Sequence, residues 1–126
     1  MPNLFDTYVV NGPDLRCSSI DVGPAIYEEL DRRFEGFKGR RLVAAHHFDR
    51  DWPSWEIHPA GDEVVVLLSG AATFVLGEGA QQRTVKLTQP AEFVIVPMGT
   101  WHTARVEEAA TMLFITPGEG TQNRDA

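Results

Sequence analysis

An all-β fold, built as an antiparallel sandwich or barrel, is predicted by three observations. Eight short apolar runs follow one another at 42–48, 55–58, 63–69, 72–76, 83–87, 92–96, 102–106 and 111–116. Turn-forming residues punctuate them, with Ser69-Gly70 and Gly77-Glu78-Gly79 where hairpins should turn and Pro90 and Pro97 at run boundaries, where a missing N–H is tolerated. No helical pattern lies between the runs, and parallel strands would need such crossovers.

Ahead of these runs, Tyr8-Val9-Val10 precedes the turn-forming Asn11-Gly12-Pro13-Asp14 and reads as an N-terminal edge strand. From Pro24 the pattern turns helical, because Ile26, Leu30 and Phe34 fall four apart while Glu28, Glu29, Asp31, Arg32 and Arg33 occupy the other faces. Pro24 suits the first helical position and Gly36 the left-handed residue that ends a helix, so about three turns are expected. Residues 118–126 are Gly-rich and polar without periodicity, and are expected to form a flexible tail.

A chain of 126 residues fits one domain with a single core. The expected division is an extension over 1–39, a barrel over about 40–117 and the tail. With 43% hydrophobic and 23% charged residues, the composition is that of a globular protein. Eighteen acidic against eleven basic side chains give a net charge of −7, the wrong sign for nucleic acid or an anionic membrane surface. No apolar run approaches the roughly 20 residues that cross a bilayer. Cys17 is the only cysteine, so no intrachain disulfide can form, and the first residues lack a signal-peptide pattern. A cytoplasmic setting is expected.

One constellation carries chemistry. Glu56 and His58 are two apart on an extended segment and so project from one face. The turn Pro59-Ala60-Gly61-Asp62 re-aims the chain so that Glu63 can approach the same point, with Gly61 allowing a conformation that most residues resist. Farther on, Pro97-Met98-Gly99-Thr100-Trp101 makes a tight turn that delivers His102 at the start of a strand. Imidazole and carboxylate together suit Fe, Mn, Ni, Zn or Co better than Ca or Mg.

These two segments resemble the paired signature motifs of the cupin superfamily. The first family motif places His-X-His, Glu and Gly at spacings matched here by Glu56-X-His58, Glu63 and Gly70; the second is matched by Pro97-X-Gly99 and His102. Two residues depart from it, Glu56 where the family usually has His, and Val106 where it has Asn.

The resemblance implies a double-stranded β-helix, the jelly-roll barrel, with one short N-terminal helix. It implies that His58, Glu63 and His102 are metal ligands, in a two-His, one-carboxylate set with open positions. Glu56 is then a fourth ligand or a nearby general base. The implied cofactor is a divalent transition metal, with Fe, Mn, Zn and Ni the working candidates, and the implied assembly is a homodimer.

Two function classes follow. In the first the chain is a metal-dependent enzyme of dioxygenase, isomerase or lyase type, acting on a small organic substrate in the barrel, with Glu56 or Glu63 moving a proton. In the second it is a non-catalytic module that senses a small molecule or a metal. Substrate choice is assigned to Val65, Leu67, Phe74, Phe93, Ile95 and Phe114 as candidate cavity side chains, in a strand register that alternation leaves open.

The remaining chemistry-bearing residues have plainer readings. His46 and His47 are adjacent on one strand, so only one can face inward. Trp52, Trp55 and Trp101 cluster around the motifs and could stack on a substrate, Trp101 foremost, although large aromatics at a barrel mouth usually pack. Arg105 points away from His102, and Arg41 and Arg83 lie near strand ends. Gly77-Glu78-Gly79 and Gly118-Glu119-Gly120 precede no helix and cannot cradle phosphate. Cys17 has no His near it in sequence to activate it.

Overall fold

All eight runs become strands, and three further strands flank them. The computed structural model describes all 126 residues as β1 (Thr7–Asn11), β2 (Cys17–Asp21), α1 (Ile26–Arg33), β3 (Arg41–Phe48), β4 (Ser54–Ile57), β5 (Glu63–Gly70), β6 (Ala72–Leu76), β7 (Arg83–Leu87), β8 (Phe93–Val96), β9 (His102–Arg105), β10 (Ala110–Thr116) and β11 (Gln122–Asp125). One sheet has six strands in the order β2-β1-β3-β10-β5-β8, the other five in the order β11-β4-β9-β6-β7, and every pairing is antiparallel.

The two sheets enclose the larger of two hydrophobic clusters. Val65, Leu67, Phe74, Leu76, Val96 and Met112 meet at its centre, each 2% exposed or less. β5, β8 and β10 alternate, one side chain inward and the next outward, whereas on β6 Phe74, Val75 and Leu76 are buried in succession. A second cluster of eight buried residues lies where Ile26 and Leu30 of α1 meet Tyr8, Val10, Ile20 and Leu42 of β1, β2 and β3. The expected single core is therefore split, because the outer part of the six-stranded sheet needs its own cover and the helix provides it.

The helix is shorter than its pattern. Pro24 falls in the preceding turn, where the Ile26 N–H bonds the Gly23 carbonyl at 3.2 Å. At the other end Phe34 leaves helical geometry at φ −123°, and Gly36 then takes the left-handed conformation at φ 68°. Acidic Glu28 and Glu29 in the first turn and Arg32 and Arg33 in the last complement the helix dipole.

Two expectations about connections are corrected and one is met. Ser69-Gly70 turns no hairpin, since β5 and β6 belong to different sheets and the chain crosses between them there. Gly77 does turn one, at φ 86° between β6 and β7. Most consequential is the segment 118–126, expected as a flexible tail, which instead forms β11 and pairs with β4 in the register Gln122↔Ile57 and Asn123↔Glu56. Backbone amides closing an open sheet edge drive this pairing. Arg124 pins it, its guanidinium 4.3 Å from the Trp101 ring centroid and 2.9 Å from a Glu78 carboxylate oxygen.

Candidate metal centre

Backbone pairing brings the motif residues together. Glu56 on β4 lies directly opposite His102 on β9, both in the five-stranded sheet, and His58 follows β4 immediately. Glu63 opens β5 in the facing sheet. Two hydrogen bonds tie the connecting loops: the Gly99 N–H donates to the His58 carbonyl at 3.0 Å and the Met98 N–H to Asp62 Oδ1 at 2.7 Å. Gly61 does not take the expected left-handed backbone angle; a Cβ there would stand 3.1 Å from Pro117 Cγ, a tight contact that the ring would have to relieve by a few tenths of an ångström.

The four side chains converge. Glu63 Oε1 is 3.2 Å from His102 Nε2, and Glu63 Oε2 is 3.3 Å from His58 Nε2. Glu56 Oε1 stands 3.7 Å from His58 Nε2, and Glu56, His58 and His102 each offer a donor atom within 4.8 Å of the others. His58, Glu63 and His102 are buried, at 4%, 3% and 0% exposure, while the Glu56 side chain is one-third exposed, at 33%.

The outer nitrogens fix the tautomers. Thr121 Oγ1 donates to the Gly118 carbonyl at 2.9 Å, so it accepts from His58 Nδ1–H at 2.8 Å. His102 Nδ1–H donates to the Thr100 carbonyl at 3.1 Å, an oxygen that can only accept. Each neutral ring therefore turns the lone pair of its Nε2 toward Glu63, and both Nε2 atoms and Glu63 Oε1 are buried without a hydrogen-bond partner. Lone pairs facing a carboxylate in a dry site repel unless a proton or a cation stands between them. The donor set thus fits a divalent transition metal.

Proton affinities reflect the same geometry. Burial raises the Glu63 carboxyl, but the imidazoles of His102 and His58 outweigh it and bring Glu63 down to about 2. Thr116 also donates to Glu63 Oε2. Burial lowers His102, yet Glu63 beside it prevails and the net shift is upward. Glu56 is raised, first by burial and then by the charge of Glu63.

A pH dependence follows with a definite sign. His102, raised from its ordinary 6.5, stabilises the metal-free fold below that pH, and the contribution is lost as pH climbs through the raised value. Glu63 contributes above its ordinary 4.5 and loses its contribution as pH falls toward about 2. Chelator-treated protein is therefore expected to melt highest between pH 4.5 and 6.5. The extra Tm from added metal should grow above that window, where protons no longer compete. Thermal melts across pH with and without chelator check both; a metal increment that shrinks as pH rises would contradict the tautomer assignment.

Other expectations resolve individually. His46 faces a cavity beside the site, its ring 5.4 Å from Phe114 and 5.7 Å from Tyr8, and burial lowers its pKa against the opposing charge of Glu63. His47 points outward and bonds Thr111 Oγ1 at 2.8 Å. Among the tryptophans the expected order is reversed: Trp52 lines the cavity with its ring 6.2 Å from His102, whereas Trp101 stacks beneath Arg124 outside it. Arg41, Arg83 and Arg105 are exposed, as is Cys17.

Phe93 and Ile95, expected inside, are 58% and 48% exposed. Val94 and Val96 take the inward positions of β8, a choice that an all-apolar run cannot reveal. Val65, Leu67 and Phe74 pack in the core and do not border the cavity, while Phe114 does. Thr116 and Thr121 carried no sequence signal at all, because a hydroxyl's partner depends wholly on which strand lies beside it.

An antiparallel double sheet holding a histidine–glutamate cluster at one end defines a class of protein, and this chain has the cupin fold. No protein-family model matches the chain, and no curated protein does. Solved structures do. Oxalate decarboxylase from Bacillus subtilis superposes with a TM-score of 0.53 at 18% identity over 68% of this chain. Hydroquinone 1,2-dioxygenase from Sphingomonas sp. TTNP3, with 4-hydroxybenzoate bound, gives 0.53 at 15% identity over 68% of this chain and 60% of its own. Protein NMB1881 from Neisseria meningitidis gives 0.51 at 18% identity over 60% of this chain and 72% of its own. The match spans only 23% of the decarboxylase chain. At such identities the likeness establishes the fold.

Proposed function

We propose that the protein is a metal-dependent enzyme of dioxygenase, isomerase or lyase type that acts on a small organic substrate. The observation that carries this reading is the pair of buried Nε2 lone pairs facing Glu63 at the edge of a cavity of about 760 Å³. Support comes also from the structural neighbours, which include oxalate decarboxylase with its Mn(II) centres and hydroquinone 1,2-dioxygenase.

His58, Glu63 and His102 would hold the metal, with Glu56 completing the set or standing beside it. The metal would supply Lewis-acid or redox chemistry to the substrate. Thr121 and the Thr100 carbonyl orient the two imidazoles, as outer partners of metal-ligating histidines do. Of the two carboxylates, Glu56 is the better proton carrier: its pKa is raised and its side chain reaches the cavity, whereas both Glu63 oxygens already face imidazoles. The single exposed Cys17 fits a reducing compartment such as the cytoplasm, and exposed Leu68, Phe93 and Ile95 would suit a homodimer contact.

Metal analysis of the protein as purified and after loading with Fe, Mn, Zn or Ni tests the reading, with the His58→Ala/His102→Ala protein as control. Stoichiometric metal in the native sequence alone is expected, with circular dichroism confirming that both fold. Metal in neither protein under any loading would defeat it. Oxygen uptake and product formation by the loaded protein then separate enzyme from sensor, since tight ligand binding without turnover favours the sensor.

A further inference from the structure

The cavity beside the four side chains is walled by both sheets and by α1. Its wall is a continuous run of rings. It begins at Trp52, whose ring lies 6.2 Å from that of His102 behind the wall; Phe48 and Phe114 lie 5.5 and 6.0 Å from Trp52, and His46 lies 5.4 Å from Phe114. Such spacings leave faces and edges on which a further planar ring can pack.

Charge narrows what can enter. No lysine or arginine lines the cavity, while Asp31, Glu56 and Glu63 do. A divalent ion held by two neutral imidazoles and Glu63 would keep one net positive charge, enough to draw in an anion. Glu56 within reach of His58 cancels it, while the third carboxylate, Asp31, is exposed and screened by solvent. A carboxylate substrate would then be desolvated with neither a cationic side chain nor a net-positive centre to receive it, a costly arrangement. Ser54 and Asn123 add neutral polar atoms to the lining, suited to hydroxyl groups.

We infer that the site takes an uncharged aromatic compound bearing hydroxyl groups, a phenol or diphenol, in place of a small carboxylate anion. This rests on the metal-site reading above and names the substrate class of that site. Glu56 is the residue that sets the preference, through the charge it adds next to the metal, and the ring wall supplies the contact.

Binding to zinc-loaded protein tests this without turnover. Trp52 borders the cavity, so tryptophan fluorescence reports occupancy, and thermal shift gives a second readout. The probes are catechol and hydroquinone, oxalate as the anion, and tyramine as the same ring carrying an ammonium. The diphenols should bind at least about tenfold tighter than oxalate, and tyramine no tighter than they do. Glu56→Gln, which keeps the shape and removes the charge, should strengthen oxalate binding roughly tenfold. Phe114→Leu should weaken the diphenols while leaving zinc stoichiometry unchanged.

Oxalate or tyramine binding tighter than the diphenols, or oxalate affinity indifferent to Glu56→Gln, would overturn the inference. Binding of none of the probes to a protein that holds one zinc would overturn it too, with the metal site left standing. Failure to hold zinc would remove both.

Discussion

Replacing Glu63 by glutamine is expected to weaken metal binding by roughly a hundredfold or more, since even partners of ligating residues are worth about 10–100-fold. The substitution keeps the shape and keeps an oxygen to accept from Thr116, but removes the charge that sits 3.2 and 3.3 Å from the two Nε2 atoms. It should also lower the His102 pKa. Burial pulls that imidazole down, and the Glu63 carboxylate is the main group holding it up. With the carboxylate gone, only the Thr100 carbonyl and the charge of Glu56 oppose burial, and His102 should titrate lower than in the native protein. Chelator competition gives the affinity, and NMR of the ring protons in metal-free protein gives the titration. A His102 that still titrates high in the Glu63→Gln protein would mean that Glu63 does not govern the cluster.

The second large effect is on the fold. Gly70→Ala is expected to cost about 3 kcal/mol or more, measured by chemical denaturation. Gly70 sits at φ 79°, and a Cβ there would stand 2.1 Å from the Ala109 carbonyl oxygen and 2.8 Å from its carbon. Those are backbone atoms of the segment entering β10, where Ala110 pairs with Gly70, and cannot swing aside as a side chain would. Gly79→Ala isolates the conformational part. That residue has φ 55° with nothing within 4 Å of the added carbon, so it should cost only about 1–2 kcal/mol. Equal losses at the two positions would show that close approach plays no part at Gly70. The glycine matching the first cupin motif thus has a steric reason, the crossing from one sheet to the other.

How far the sequence reached depends on what kind of signal each feature leaves. The barrel strands were legible because short apolar runs fall between turn residues, and in β5 and β10 burial on a pleated surface also imprints alternation. The candidate metal cluster was legible in part because Glu56, His58 and Glu63 are joined by a single short loop, so strand periodicity and that loop suffice to aim them together. His102 needed the resemblance, since nothing local connects it to residues some forty positions earlier. Cys17–Asp21 as β2 left almost no trace, with only Ile20 buried.

By itself, then, the sequence determined an antiparallel β fold, its one helix and three donor residues of the candidate metal cluster, Glu56, His58 and Glu63, all of them consequences of local spacing and side-chain chemistry; the fourth, His102, came from the resemblance. The tertiary structure decided what spacing cannot. It chose Val94 and Val96 over Phe93 and Ile95 for the interior, because an all-apolar strand has no preferred face until a neighbour sets its register. It placed Trp52, not Trp101, at the cavity. It also turned a polar C-terminal segment into β11, whose four residues are all exposed. A strand held by backbone pairing alone has no apolar pattern to display, yet the turn that leads into it carries Thr121, the hydroxyl that orients His58.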